Sequence, residues 1–265
     1  MSASRGLLST RIAAWLLPLA AIALLLGIWE LYVAISGVSP LVLPPPHTVA
    51  QALWDDRGTL WHNLKPTAAE IVCGILLAAV AGTLMAALLH FSGVARGALY
   101  PLLVASQAIP VVILAPLLVL WLGFGLLPKL VVVALVCFFP IVVTTLYGLE
   151  TVDPDLIKLM RTFDAGARET FWHVELPHAL PGLFTGAKLA AVYSVIGAVF
   201  AEQAGASSGL GYLLNVTTSN LETAEAFATV LVLAAFAILL FALLTLVERR
   251  ALPWVHRQRE TQPPR

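Results

Sequence analysis

DPDLIKLMRTFDAGARETFWHVELPHALP, residues 153–181, is the one long polar insert between strongly apolar segments in the C-terminal half of the chain. Asp153 can cap a helix, Pro154 suits its first position, and Asp155 adds negative charge to the first turn, where backbone amides lack partners. Leu156, Ile157, Leu159, Met160 and Phe163 recur at helical spacing with Lys158 and Arg161 between them, so the pattern predicts an amphipathic helix. Asp164 and Gly166 offer a turn, because both residue types tolerate left-handed backbone angles better than most. A second helix is expected from about Ala167 to Glu175, which Asp164 can cap and the Leu176-Pro177 pair ends. On periodicity alone, the insert reads equally well as a solvated connection.

What flanks the insert fixes the class of protein. Of 265 residues, 60% are hydrophobic and 11% charged, against roughly 25% charged in an ordinary soluble domain. Runs of about 20 apolar residues suit a hydrocarbon core about 30 Å thick. Six such runs occur, at about 12–35, 68–91, 98–122, 128–149, 182–203 and 226–247. They are too long and continuous for barrel strands, so the expected fold class is an all-α membrane protein of six transmembrane helices. Lys and Arg number 15, as do Asp and Glu, which gives no argument for nucleic acid. Their placement is informative: Arg5, Arg11, Arg96, Lys158, Arg161, Arg168, Lys188, Arg249, Arg250, Arg257, Arg259 and Arg265 fall on the side of both termini, and only Arg57, Lys65 and Lys129 on the other. This bias puts both termini and the insert in the cytoplasm. The first run is longer than a signal-peptide core and no small-residue cleavage site follows it, so it reads as a retained anchor. The basic tail is expected at anionic headgroups.

The first span carries Trp15 and Trp29–Tyr32 at interfacial depth, with Glu30 near water at its outer end. Pro44, Pro45 and Pro46 then favour an extended conformation, and Thr48 can cap a short helix with Val49, Ala50 and Leu53 on one face. Gly74, Ala78, Ala79, Ala81, Gly82, Ala86 and Ala87 let the second span approach its neighbours closely. Prolines at 101, 110 and 116 should kink the third span; Ser106, Gln107 and Pro110 form a candidate pathway wall or gate, or else Ser106 and Gln107 only bond a neighbouring helix. Pro140 kinks the fourth span, where Thr144 and Thr145 can bond back onto the helix. Glu202 closes the fifth span, and a carboxylate at that depth marks either a pathway, a buried partner or interfacial exposure. Gly205, Gly209 and Gly211 suit close backbone approach, without the preceding strand that a dinucleotide site needs. An outer loop with solvated Glu222 and Glu225 is expected over 215–225. Cys73 and Cys137 read as small core residues, and no histidine shows metal-ligand spacing; His62, His173 and His178 read as polar-loop residues.

The insert resembles the cytoplasmic loop of ABC-importer permeases. In that family Glu-Ala-Ala, three residues, and Gly precede an apolar-Pro pair by thirteen residues; counting back from Pro177 places Asp164 at the glycine and Lys158, Leu159 and Met160 at the triplet. The resemblance is closer elsewhere. LPPPHTV (43–49), QAIP (107–110), LAPL (114–117), WLGFG (121–125) and CFFP (137–140) follow permeases of the nitrate, sulfonate and taurine type segment by segment, over about residues 25–250. TVDPDLIKLMRTF (151–163) and AVYSVIGAVFAEQAGASSGLGYLL (191–214) look most like permeases of hydroxymethylpyrimidine, a thiamine precursor, with sulfonate, taurine, nitrate and riboflavin importers sharing much of the text.

The resemblance implies a single permease domain, 1–265, in the bacterial inner membrane, paired as a homodimer. It also implies an extracytoplasmic solute-binding protein and an ATP-binding subunit docked on the loop at Asp164, Ala165, Gly166, Ala167, Arg168 and Glu169, with Leu176 and Pro177 closing the motif. Gating would involve Ser106, Gln107, Pro110, Pro140 and Glu202. The chain has no Walker A pattern, so ATP and magnesium are expected on the partner, with no cofactor on this chain and no enzymatic activity of its own. A secondary transporter would show internal repeats, which are not evident, and a membrane-embedded enzyme would need clustered polar groups within the spans. A purely structural scaffold would tolerate scrambling of the loop.

Overall fold

Burying apolar runs in lipid leaves each backbone amide to find its partner within its own helix. In the computed structural model, which describes the backbone of residues 3–255 and the side chains of residues 16–255, every regular element is accordingly helical. The elements are α1 (Ala3–Ser36), α2 (Pro46–Asp55), α3 (Arg57–Phe91), α4 (Gly93–Ser106), α5 (Val111–Leu122), α6 (Leu126–Glu150), α7 (Pro154–Thr162), α8 (Ala167–Thr170), a π-turn (Phe171–Glu175), α9 (Leu176–Gly205), α10 (Leu210–Ser219) and α11 (Thr223–Ala251). Among the described residues five helices are long and apolar enough to cross a membrane, and the α4–α5 pair makes a sixth if taken as one broken span. The side chains of Arg5, Arg11 and Trp15, and all of Arg257, Arg259 and Arg265, lie outside the described residues.

One compact unit comprises the chain up to Leu60 with Leu214–Leu231. Here α1 leaves Leu16, Leu17, Leu24 and Leu25 exposed, as a lipid-facing helix should, while Trp29 stacks obliquely on Phe227 at 5.7 Å. Glu30 meets His47 Nδ1 at 2.7 Å, an exposed pair worth at most about 1 kcal/mol. Thr48 does not cap α2: the helix starts earlier, at Pro46, and the Thr48 hydroxyl donates to Pro45 O (2.8 Å). Proline suits a first helical turn because its missing N–H has no partner there anyway. Residues 215–219, expected as loop, belong to α10.

The second unit, Trp61–Leu213 with the chain from Val232, holds the main core, in which α3, α6 and α9 pack together. Small residues set these contacts. A Cβ on Gly74 would overlap Val133, one on Gly82 would lie 2.8 Å from Ile141 Cγ2, and Ala78 and Ala86 on the same face of α3 are buried. Ala81 and Cys73 point the other way and are exposed, so Cys73 is not a core residue. Across α6, Gly182 and Gly186 of α9 sit against Thr144 and Ile141. Helix α6 runs continuously through Pro140; Thr144 donates back to Pro140 O (2.8 Å), whereas the Thr145 hydroxyl is buried and makes no such bond.

The third span is not one kinked helix. α4 ends at Ser106 and α5 begins at Val111 at 102° to it. Pro110 cannot donate to the Ser106 carbonyl and its ring collides with it, and Ile109 before it is biased away from helical angles. Tight turns from Gln107 to Val104, Ala108 to Ala105 and Ile109 to Ser106 use up the carbonyls that the break frees.

The expected stop at Leu176-Pro177 is also absent. Helical structure runs without interruption from Ala167 to Gly205, 39 residues, because the backbone widens to a π-turn at Phe171–Glu175 just before the proline. Leu176 N–H bonds Phe171 O, five residues back, and Pro177 then falls in the first turn of a fresh α-helical register, where it needs no donor.

Candidate functional site

The residues singled out by the sequence gather in three places, the first being the loop. Asp153 Oδ1 accepts the Asp155 amide (2.9 Å) and α7 follows, as its residues predict. The chain then turns at Asp164 with φ +59°, closed by bonds from Asp164 N to Arg161 O and from Ala165 N to Met160 O, both 3.1 Å. Gly166, by contrast, has an ordinary extended conformation (φ −70°) and precedes α8, with Glu169 reaching back to its amide (3.3 Å). The left-handed turn therefore belongs to Asp164, and the helix cap to Gly166.

Because Asp164 alone carries positive φ in the loop, Asp164→Gly should leave the loop unchanged, while Asp164→Val should strain it by about 1–2 kcal/mol. Trypsin cleavage at the exposed Lys158, Arg161 and Arg168 reads this out. Faster cleavage of the valine variant and wild-type cleavage of the glycine variant are the expected results.

Gly166, Ala167, Arg168 and Glu169 are exposed and Ala165 is half-buried, so five consecutive residues with mostly small side chains form an open edge. Around them Leu159, Phe163 and Trp172 leave 50%, 74% and 57% of their surfaces uncovered. The π-turn below is fixed to the end of α3. His90 Nε2 meets Glu175 Oε2 at 3.2 Å and the Phe91 and Phe171 rings lie 5.0 Å apart. Arg96 and Glu150 pair across the neighbouring helix ends. Leu176 and Pro177 are half-buried at the head of α9, away from the open edge.

The second place is the elbow between α4 and α5. Ser106, Gln107, Ala108, Ile109 and Pro110 are all exposed; the Ser106 hydroxyl donates to Leu103 O (2.7 Å) and Gln107 Nε2 to Ser106 Oγ (3.3 Å). Pro140 lies elsewhere, in the contact between α6 and α9.

The third place surrounds Glu202, which is 1% exposed. Burial rules out simple interfacial exposure. Its Oε1 accepts from Thr67 Oγ1 (2.6 Å) and its Oε2 from the Gly211 amide (2.5 Å). Thr67 Oγ1 also accepts from Leu210 N (2.8 Å), and Asn63 Oδ1 accepts from Gly209 N (2.9 Å). One turn further along α3, the buried Glu70 carboxylate takes Lys129 Nζ of α6 at 2.6 Å. The close approach expected of the glycines is realised: a Cβ on Gly209, at φ +121°, would overlap the Glu202 carboxyl, and one on Gly211 would lie 2.7 Å from the Val199 backbone. Asn63, Thr67, Glu70 and Lys129 were not among the sequence candidates. Their signal is there in the four- and three-residue spacing of 63, 67 and 70, one helix face leading into an apolar span, with Lys129 opposite.

Comparison with known proteins bears on what this arrangement belongs to. Residues 74–256 match the family described as "Binding-protein-dependent transport system inner membrane component". The chain is 36% identical over 236 residues to the formylaminopyrimidine transport permease protein ThiX of Halalkalibacterium halodurans, covering 89% of this chain and 94% of that one. It is 29% identical over 245 residues to the taurine transport system permease protein TauC of Escherichia coli, covering 90% and 89%. A crystal structure of an amino acid ABC transporter with histidines shares the fold, with a TM-score of 0.60 at 15% identity over 76% of this chain and 97% of that one. The chain thus belongs to the binding-protein-dependent inner membrane component family, as a permease of an ABC importer of the nitrate, sulfonate and taurine type.

Proposed function

We propose that this permease carries hydroxymethylpyrimidine or a related thiamine precursor inward across the bacterial inner membrane, with both termini in the cytoplasm. Two copies pair to enclose the pathway. An extracytoplasmic solute-binding protein delivers the solute, and an ATP-binding subunit, which holds ATP and magnesium, docks on the open edge 164–169.

The observation that carries the docking reading is that edge itself. Small side chains permit close approach of a partner, and exposed Leu159, Phe163 and Trp172 supply apolar surface around it, the usual composition of a helix seated in a groove. Arg168 and Glu169 are exposed and within reach of partner charges, Glu169 with one carboxylate oxygen on the Gly166 amide. The elbow supports a place on the pathway for Ser106, Gln107 and Pro110, since irregular backbone at membrane depth is tolerated only against protein or water. A neutral pyrimidine is supported by the formylaminopyrimidine relative and by the absence of charged side chains from residues 97–122.

Co-purification from detergent with the ATP-binding subunit tests docking, comparing wild type with Ala165→Trp/Gly166→Trp. A Cβ on Gly166 meets nothing within 4 Å, so the change at that position spares the permease itself. Loss of the partner, by at least about tenfold in recovered ATPase, is expected from blocking so close a contact. Equal recovery moves the docking surface elsewhere. Uptake of labelled hydroxymethylpyrimidine, competed with taurine, tests the solute; displacement by taurine would favour a sulfonate importer.

A further inference from the structure

The cluster around Glu202 sits where the sequence breaks helical structure between α9 and α10, and its geometry is that of a cap supplied from outside the capped helix. The first amides of any helix lack partners within it, and a residue just ahead of the helix ordinarily supplies one. At the start of α10 the preceding residues are Ala206, Ser207, Ser208 and Gly209, yet the amides of Gly209, Leu210 and Gly211 go to Asn63, Thr67 and Glu202 in turn. Two of these caps come from α3 and one from α9. The Thr67 hydroxyl accepts from Leu210 and donates to Glu202 (2.6 Å), with a longer approach to Asn63 O (3.1 Å), so it joins all three helices at one atom.

We infer that Glu202 is a positioning residue: with Thr67 and Asn63 it clamps the start of α10 onto the outer ends of α3 and α9, and the clamp stays shut while the transporter changes conformation. The inference rests on the proposal above that an ATP-binding subunit docks on the loop, where its nucleotide-dependent closure would move the edge. At the other end of the rod that carries Glu202 lies the exposed edge 165–169, and the rod between them is unbroken helix, 39 residues long, or about 55–60 Å. A displacement at Ala167 is therefore delivered to Glu202 along continuous helix, through the π-turn and Pro181, and from there through the clamp to α10. Bonds to a carboxylate in a water-poor setting are the strong ones, and Gly209 leaves no space for the carboxyl to shift, since any side chain there would overlap it. The Glu70–Lys129 pair, one turn along α3, ties the same end of α3 to α6. Compliance then resides in the elbow between α4 and α5, whose side chains are exposed, and not at the outer end of α9.

Hydrogen exchange on the full chain in lipid nanodiscs tests this, alone and with the ATP-binding subunit, without nucleotide and trapped with ATP and vanadate. The amides of residues 209–213 should be slow in every wild-type state. Glu202→Ala should speed their exchange by at least about tenfold, the scale expected for losing the buried hydrogen bonds of this side chain. Thr67→Val, which keeps the side-chain shape, should do so to a lesser extent, and Glu202→Gln, which can still accept from Gly211, should restore most of the protection. The arm on the permease alone needs no partner and keeps the clamp testable if the ATP-binding subunit fails to bind, an outcome that would sink the docking proposal. Unchanged exchange in Glu202→Ala, or wild-type exchange that rises on vanadate trapping, overturns the clamp.

Discussion

Lys129→Met is expected to be the most damaging single substitution in the second unit. Lys129 is 9% exposed and Glu70 1%, with Nζ and Oε1 2.6 Å apart. Methionine fills the aliphatic volume but leaves a carboxylate buried without its cation, a change that costs about 3–5 kcal/mol. The cost arises from the stranded charge and not from a strong net attraction, because desolvation offsets most of what a buried pair gains. Lys129→Met combined with Glu70→Gln should accordingly recover most of the loss. Melting temperatures of the detergent-purified wild type and the two variants, followed by tryptophan fluorescence, check this. A double variant as unstable as the single one would mean that the pair contributes through specific bonding and not through charge balance.

Gly182→Val should be nearly as severe. A Cβ at 182 overlaps the Thr144 carbonyl oxygen and comes 3.2 Å from the Thr144 carbonyl carbon, so the obstacle is backbone and cannot rotate away. Gly186, one turn on, meets Thr144 and the Ile141 backbone in the same contact. Overpacking a close interface typically costs about 1–3 kcal/mol, and a clash with main chain puts this site at or above the top of that range. Helix α9 would have to separate from α6 along its first turns. Gly166→Val, on the exposed edge with open space around it, is the matched control and should melt like wild type.

Much of this was legible in the chain because lipid makes the rules strict. Length and continuity of apolar runs marked the spans, and the small residues at 74, 78, 82 and 86 marked the face of α3 that packs. Asp153, Pro154 and Asp155 announced α7 through local capping chemistry alone. Two prolines misled in opposite directions. Pro110 breaks its helix where a kink was expected, whereas Pro177, expected to end a helix, is absorbed by one extra residue of backbone in the preceding turn. A proline forbids one hydrogen bond, but which neighbour compensates is decided by packing that the local sequence does not contain. The Glu202 cluster was half visible for the same reason. One buried carboxylate could be suspected from its depth, but its partners Thr67 and Gly211, and Asn63 beside them on Gly209, come together only when three helices meet.

The π-turn at Phe171–Glu175 sets a phase as well as absorbing a proline. In a continuous helix each residue adds about 100° of rotation, so the direction in which the edge 165–169 faces is fixed relative to Glu202 by the number of residues between them and by the one wide turn among them. Removing a single residue from Phe171–Glu175 would return that turn to ordinary α-helix and leave its two flanks near their present phase, whereas removing one from the ordinary helix between that turn and Glu202 would swing the proposed docking face about 100° around the rod. Side chains at most positions between Ala167 and Glu202 can change in kind, but their number is constrained as the tooth count of a gear is.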